Sequence, residues 1–183
     1  MNEANDRELV QQILDGNERA FEMLVDRYER VIFNVAYRMT SDHDASEDIA
    51  QAVFVKAFEN LRGYDPRFKL FSWLYRMAIN ESLNYLKHQR RTEELSPMMA
   101  SNAKSPDQSY REAELHLKIQ DALMALDAGS RTLIVMRHYG DCSYKEMAEI
   151  LGIPEKRVKS RLFTARNELR DVLAKRGILG HDS

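Results

Sequence analysis

The stretch Tyr144–Arg166, YKEMAEILGIPEKRVKSRLFTAR, decides how this chain folds. Tyr144, Met147, Ala148 and Leu151 recur at helical spacing, the pattern breaks at Gly152-Ile153-Pro154, and Val158, Leu162, Ala165 and Leu169 resume it. Two short amphipathic helices around a glycine turn are helix-turn-helix grammar. Ser143 with Glu146 three residues later predicts a capping box for the first helix, and Pro154 suits the opening of the second, where no backbone donor is needed. Small residues at Ala148 and Gly152 fit a close crossing of the two helices.

If the apolar side of the second helix is buried, a rotation of about 100° per residue points Lys156, Ser160, Phe163 and Thr164 outward, with Arg157 and Lys159 on the flanks. Pro154–Arg170 holds six basic residues against two acidic ones on a chain of net charge -2. That local excess suits phosphate contact, although charge alone is equally met by a solvated helix surface.

Working outward, 183 residues with 7 Gly and 4 Pro, dominated by periodic apolar runs, predict an all-α chain of two small helical domains. No run of about 18 apolar residues offers a membrane span, and the acidic N-terminus is unlike a signal sequence, so the expected location is the cytoplasm without membrane insertion. The single cysteine, Cys142, excludes an internal disulfide framework. Charge is segregated: net -7 over residues 1–60, +3 over 61–95, -2 over 96–127 and +4 over 128–183. Two basic segments alternating with two acidic ones fit contact with nucleic acid at two places and with protein elsewhere.

Before the decisive stretch, the periodicity predicts helices over about 7–14, 18–39, 45–61 and 70–88. The third is expected to bury Ile49, Ala52 and Val53 and to turn Asp48, Gln51 and Val55 the other way, with Phe54 beside them. That outer face has two readings, a solvated surface with one stray aromatic or a docking surface for another protein. A turn-rich loop, Arg62–Lys69, introduces the fourth helix. Opposite its apolar side run Trp73, Arg76, Asn80, Asn84, Lys87 and Arg91 at steps of three or four. A ring that stacks, amides that read base edges and cations that follow phosphates make a single-strand platform. The other reading is that Trp73 packs on the preceding loop and the rest is solvated surface.

Residues 92–108 lose periodicity and carry Ser96-Pro97 and Ser105-Pro106, the mark of a linker, whose bounds as a domain boundary are set at 92–112. It divides the chain into a domain over 1–91 and a second over 113–176, with a tail over 177–183. Helices over about 109–126 and 130–139 precede the helix-turn-helix.

Taken together, FEMLVDRYERVIFNVAYRM, SEDIAQAVFVKAFENL, FSWLYRMAINESLNYL and SYKEMAEILGIPEKRVKSRLFTARNELR resemble, in family order, a bacterial RNA polymerase sigma factor of the extracytoplasmic-function class. The resemblance implies sigma domain 2 in the first block and sigma domain 4 in the second. It implies that Asp48, Gln51 and Phe54 dock on the clamp helices of core RNA polymerase. It further implies that the stripe Trp73, Arg76, Asn80, Asn84, Lys87 and Arg91 captures the melted minus-10 strand, with a flipped base lodged by the loop Gly63–Lys69. The second helix of the C-terminal motif would enter the major groove of the minus-35 promoter DNA, and a cognate anti-sigma factor would mask these surfaces. Two departures stand out: Glu155-Lys156-Arg157 replaces the small residues common after the turn proline, and Leu126-Asp127-Ala128-Gly129 replaces a frequent Leu-Pro before the penultimate helix.

The expected mechanism is binding rather than bond chemistry, with no catalytic residue, cofactor or metal. His138 and Cys142, four residues apart, are the nearest approach to a metal pair, and two ligands do not make a structural zinc site. A stand-alone helix-turn-helix regulator is the alternative; it leaves the stripe on the fourth helix and the linker unexplained.

Overall fold

A computed structural model describes residues 3–95 and 110–178. Among them lie eight α-helices: α1 (Glu3–Leu14), α2 (Glu18–Thr40), α3 (His43–Asn60), α4 (Leu70–Leu95), α5 (Tyr110–Met124), α6 (Ala128–His138), α7 (Tyr144–Leu151) and α8 (Glu155–Lys175), with a 3-10 turn at Leu61–Gly63. The linker expected around the two Ser-Pro pairs lies outside the described residues, as does most of the tail.

The first domain is built around α2. Its residues Ala20, Leu24, Tyr28, Ile32, Val35 and Met39 fall every three or four positions and are all buried, so one face of the helix is continuous core. Asn17 accepts the Ala20 amide at 3.3 Å to start the helix, and Ser41 stops it in the left-handed region with φ 58°. Asp42 then opens α3, accepting the Ala45 amide at 3.0 Å. Its second oxygen accepts the Tyr85 hydroxyl at 2.9 Å, which ties the start of α3 to α4. The first helix begins at Glu3, earlier than its periodicity shows, because Asp6 is a tether: its buried carboxylate accepts from Arg27 and from the Tyr28 hydroxyl, each at 2.6 Å. Burial and the neighbouring Asp6 carboxylate push the Tyr28 phenol far above its ordinary range, so it stays a donor.

On α3 the structure corrects the expected facing. Phe54 is 6 % exposed and belongs to the core, and Ala52 is only half-buried. Residues 50, 53, 54 and 57 form the inward face, a step of three or four that a residue-by-residue hydrophobicity reading splits differently. On α4 the apolar side buries Leu74, Tyr75, Ala78, Ile79 and Ser82 and half-buries Leu83 and Leu86, and the helix continues to Leu95, beyond the predicted end near residue 88.

In the second domain the departure at Leu126–Gly129 becomes a cap. Asp127 accepts the amides of Gly129 at 2.8 Å and Ser130 at 3.1 Å, so α6 starts at Ala128 with a carboxylate cap. The Ser143–Glu146 capping box is complete: Ser143 Oγ accepts the Glu146 amide at 3.2 Å, and the Glu146 carboxylate accepts the Ser143 amide at 2.8 Å. Gly152 closes α7 at φ 64° and donates to the Ala148 carbonyl. Nothing lies within 4 Å of where its side chain would be, so glycine serves the left-handed turn there and not a close helix crossing.

The two domains pack directly on each other. Arg131 of α6 is buried, and its guanidinium donates to the carbonyls of Leu123, Met124 and Leu126 at the end of α5 and of Met39 at the end of α2. One cation thus serves the negative ends of two helices from two domains. Gln120 reaches the Tyr37 carbonyl at 3.0 Å and accepts from Arg38 at 3.0 Å, while Arg38 stacks on the Tyr139 ring at 4.5 Å.

Candidate nucleic-acid and polymerase interfaces

The recognition face on α8 follows from the burial of Val158, Leu162 and Ala165. With those three inward, Lys156, Arg157, Lys159, Ser160, Phe163 and Thr164 are all exposed on one side of a single rigid helix. Phe163 is 68 % exposed amid basic and hydroxyl neighbours. Lys159 is not a bare charge: Glu155 one turn earlier holds its ammonium at 2.7 Å, and the Tyr144 ring of α7 lies 5.4 Å from it. Thr164 donates back to the Ser160 carbonyl at 3.3 Å.

The α4 stripe is only partly as the sequence draws it. Asn80, Asn84, Lys87 and Arg91 are exposed along the helix. Trp73 is half-buried and packs on Tyr64 of the preceding loop, ring centroids 5.3 Å apart, so the loop contact and an accessible ring edge coexist. Arg76 donates its guanidinium to the Glu149 carbonyl of α7 and is therefore shared with the second domain. The loop itself is internally braced. Asp65 and Arg67 form a two-pronged ion pair, with Nε to Oδ2 at 2.9 Å and Nη2 to Oδ2 at 2.6 Å, and the Tyr64 hydroxyl donates to the Phe68 carbonyl at 2.6 Å. The Arg67 hydrogen bond holds the Asp65 carboxyl below its ordinary range. Phe68, two residues before α4, stands half-exposed.

Between α2 and α3 runs a groove of about 930 Å³. Phe21, Phe33, Phe54 and Phe58 contribute apolar walls, and Asp48 and Gln51 stand exposed on its rim. Aromatic walls with an acidic and amide edge fit an amphipathic protein element. Burial of Phe54 therefore removes it from the exposed face without removing it from the groove.

His138 and Cys142 do not form a pair in space that offers two ligands. His138 is exposed, while Cys142 is 1 % exposed with its thiol directed at the Gly140 carbonyl at 3.6 Å. Burial, then the Glu146 and Asp141 carboxylates, push that thiol up to about 12. It stays protonated and unreactive at neutral pH. Contacts between the domains are what the sequence does not show, among them those of Lys69 with Glu146, Tyr75 with Val135 and Arg131 with Met39. Arg131 carries a signal in the sequence, a charge opening the run RTLIVM on α6, since a buried charge requires a partner.

A helix-turn-helix with a basic outer face thus shares the chain with a helical domain whose α4 exposes amides and cations and whose α2 and α3 frame an apolar groove. Residues 24–92 match the Sigma-70 region 2 family model, and residues 116–169 match Sigma-70, region 4. The chain is 31 % identical to the ECF RNA polymerase sigma factor SigW of Bacillus subtilis, over 90 % of this chain and 94 % of that one. It is similar in structure to CnrH in complex with the cytosolic domain of CnrY, with TM-score 0.71 and 29 % identity over 93 % of this chain and 98 % of that chain. It is also similar to the sigma factor RpoE of Bartonella quintana in complex with the anti-sigma factor NepR, with TM-score 0.70 and 25 % identity over 84 % of this chain and 96 % of that one. The chain belongs to the ECF class of the sigma-70 family of bacterial RNA polymerase initiation factors.

Proposed function

We propose that the three surfaces divide the work of promoter selection. The α8 face, Lys156, Arg157, Lys159, Ser160, Phe163 and Thr164, reads the minus-35 duplex through its major groove. The α4 stripe, Trp73, Arg76, Asn80, Asn84, Lys87 and Arg91, captures the melted minus-10 strand, and the braced loop with its half-exposed Phe68 lies beside it for an unstacked base. Asp48 and Gln51, with Phe54 in the groove wall, dock on core RNA polymerase. The domain limits that follow are 1–91 and 113–176, with 92–112 between them.

One observation carries this reading: α8 exposes a basic face and α4 a stripe of amides and cations with a half-buried tryptophan, two different chemistries on separate helices. A duplex reader alone would need only the first. The Bartonella relative is held by an anti-sigma factor, and we infer a partner of that kind for this chain, acting in the cytoplasm.

The test is to mix the purified chain with bacterial core polymerase, look for co-elution at one to one, and ask whether the complex opens a promoter. Permanganate reactivity of unpaired thymines upstream of the start site is the expected result. Failure to bind polymerase, together with tight binding of a palindromic duplex by the chain alone, would make it a stand-alone regulator instead.

A further inference from the structure

We propose that Asp6 is a positioning residue for promoter opening: by holding Tyr28 it fixes the loop Arg62–Lys69, and the Trp73 ring packed on that loop, in the geometry that receives the melted minus-10 strand. The brace itself rests on contacts, and its consequence rests on the strand-binding role proposed above.

Among the described residues Asp6 is the one buried acid, 5 % exposed. Its helix does not need that charge for attachment, since Leu9, Val10 and Ile13 of α1 are already buried in the core. Taking a carboxylate out of water opposes folding, and a buried ion pair adds little net stability over apolar packing. What it does add is direction. Arg27 and the Tyr28 hydroxyl each meet a separate oxygen of Asp6 at 2.6 Å, the short length of charge-assisted bonds. The fully buried Tyr28 ring is thereby held at its polar end as well as on its faces.

From Tyr28 the connection runs to the loop. The first helix packs on the 3-10 turn Leu61–Gly63 and on α4, the two elements that flank the loop. Tyr64, the residue after that turn, packs against the same core. Burial first, then Asp6, push the Tyr28 phenol up, and the Tyr64 phenol adds to the shift, so the two phenols are electrostatic neighbours. Tyr64 in turn donates to the Phe68 carbonyl at 2.6 Å and packs on Trp73, ring centroids 5.3 Å apart. At the other end of the loop, Asp6 shares with Lys69 and Phe71 the wall of a cavity of about 330 Å³. Both ends of the loop therefore lie beside the tethered helix.

Loss of the tether leaves the apolar packing of α1 in place and frees the loop to move. A binding group displaced by about 1 Å from its productive position costs rate steeply. The Asp48 and Gln51 rim stands on α3 and the duplex face on α8, so neither depends on Asp6.

The test uses Asp6→Asn, which removes the charge at nearly constant size, and Tyr28→Phe, which removes one hydroxyl and keeps the ring. Asn17→Ala, which removes the α2 cap in the same domain, controls for stability alone. Each full chain is assembled with core polymerase and its promoter opening is read by permanganate. Each chain alone gives hydrogen exchange over the loop and a melting temperature. The expected result for both tether variants is normal co-elution with polymerase, faster exchange in the loop and opening reduced by about tenfold. Asn17→Ala should open the promoter as wild type does, despite its own loss of melting temperature. Wild-type opening by Tyr28→Phe overturns the proposal, and this variant decides if Asp6→Asn does not fold. Opening that simply tracks melting temperature across the three variants overturns positioning. Lost opening with unaltered exchange in the loop overturns the route through Tyr64. Normal opening by Trp73→Ala would remove the strand-binding role, while the exchange data still judge the brace.

Discussion

Lys159 shows how little an exposed charge reveals by itself. Its ammonium is shared between Glu155 and the face of Tyr144, both on the surface, so its contribution to stability is small. Lys159→Ala should leave the unfolding free energy near that of wild type, while weakening minus-35 duplex binding. If the lysine contacts a phosphate, the slope of log affinity against log salt should flatten by about one unit; an unaltered slope would show that it does not. Asp127 is the opposite case, a residue with a structural task. The Ser130 hydrogen bond, with the Ser130 and Gly129 amides behind it, holds its carboxyl below the ordinary range. A carboxylate with a lowered folded-state value stabilises fully above its unfolded value of about 3.9, and that contribution is lost as pH falls through the folded value. Asp127→Ala should cost about 1 kcal/mol near neutral pH, with the gap to wild type closing in acid; urea titrations at pH 7 and pH 3 would check both.

At the level of elements, the helix-turn-helix owes its geometry to caps more than to its core. Gly152 takes a left-handed conformation that costs other residues about 1–2 kcal/mol, and no neighbour restricts its size. Gly152→Ala should therefore destabilise the second domain by about that amount, and Gly152→Asn by less, in thermal unfolding of the intact chain. A neutral alanine would mean that the turn relaxes away from positive φ. On α4, Trp73 joins two tasks by packing on Tyr64 and presenting part of its ring. Trp73→Ala should leave polymerase binding intact and depress strand opening, read as lost permanganate reactivity. It should also loosen the loop, at a stability cost well below the roughly 3–5 kcal/mol of a fully buried tryptophan.

For the whole molecule, the groove between α2 and α3 lies away from the interdomain contacts, so a polymerase element could engage it while the domains are still docked. Asp48→Arg with Gln51→Ala changes two exposed rim residues and should abolish co-elution with core polymerase while the helical signal and melting temperature stay near wild type. Normal co-elution would remove the rim from the polymerase interface.

The sequence by itself determined the helices, the helix-turn-helix, its capping box and the outward face of α8. Those depend on spacing within a few residues, and a 3.6-residue period with a glycine turn leaves one answer. It also carried the order of motifs that marks the family. Facing on α3 was less legible, because Phe54 and Val55 are both apolar and only packing against α2 selects Phe54 for the core. What the tertiary structure alone decided is how the two domains meet. The contacts of Arg131 with Met39, of Gly140 with Tyr75 and of Arg76 with Glu149 join residues 65 to 92 positions apart. Local periodicity holds no record of such pairs, since each arises from the shape of two finished surfaces and from the helix-end carbonyls that those surfaces leave in need of a donor.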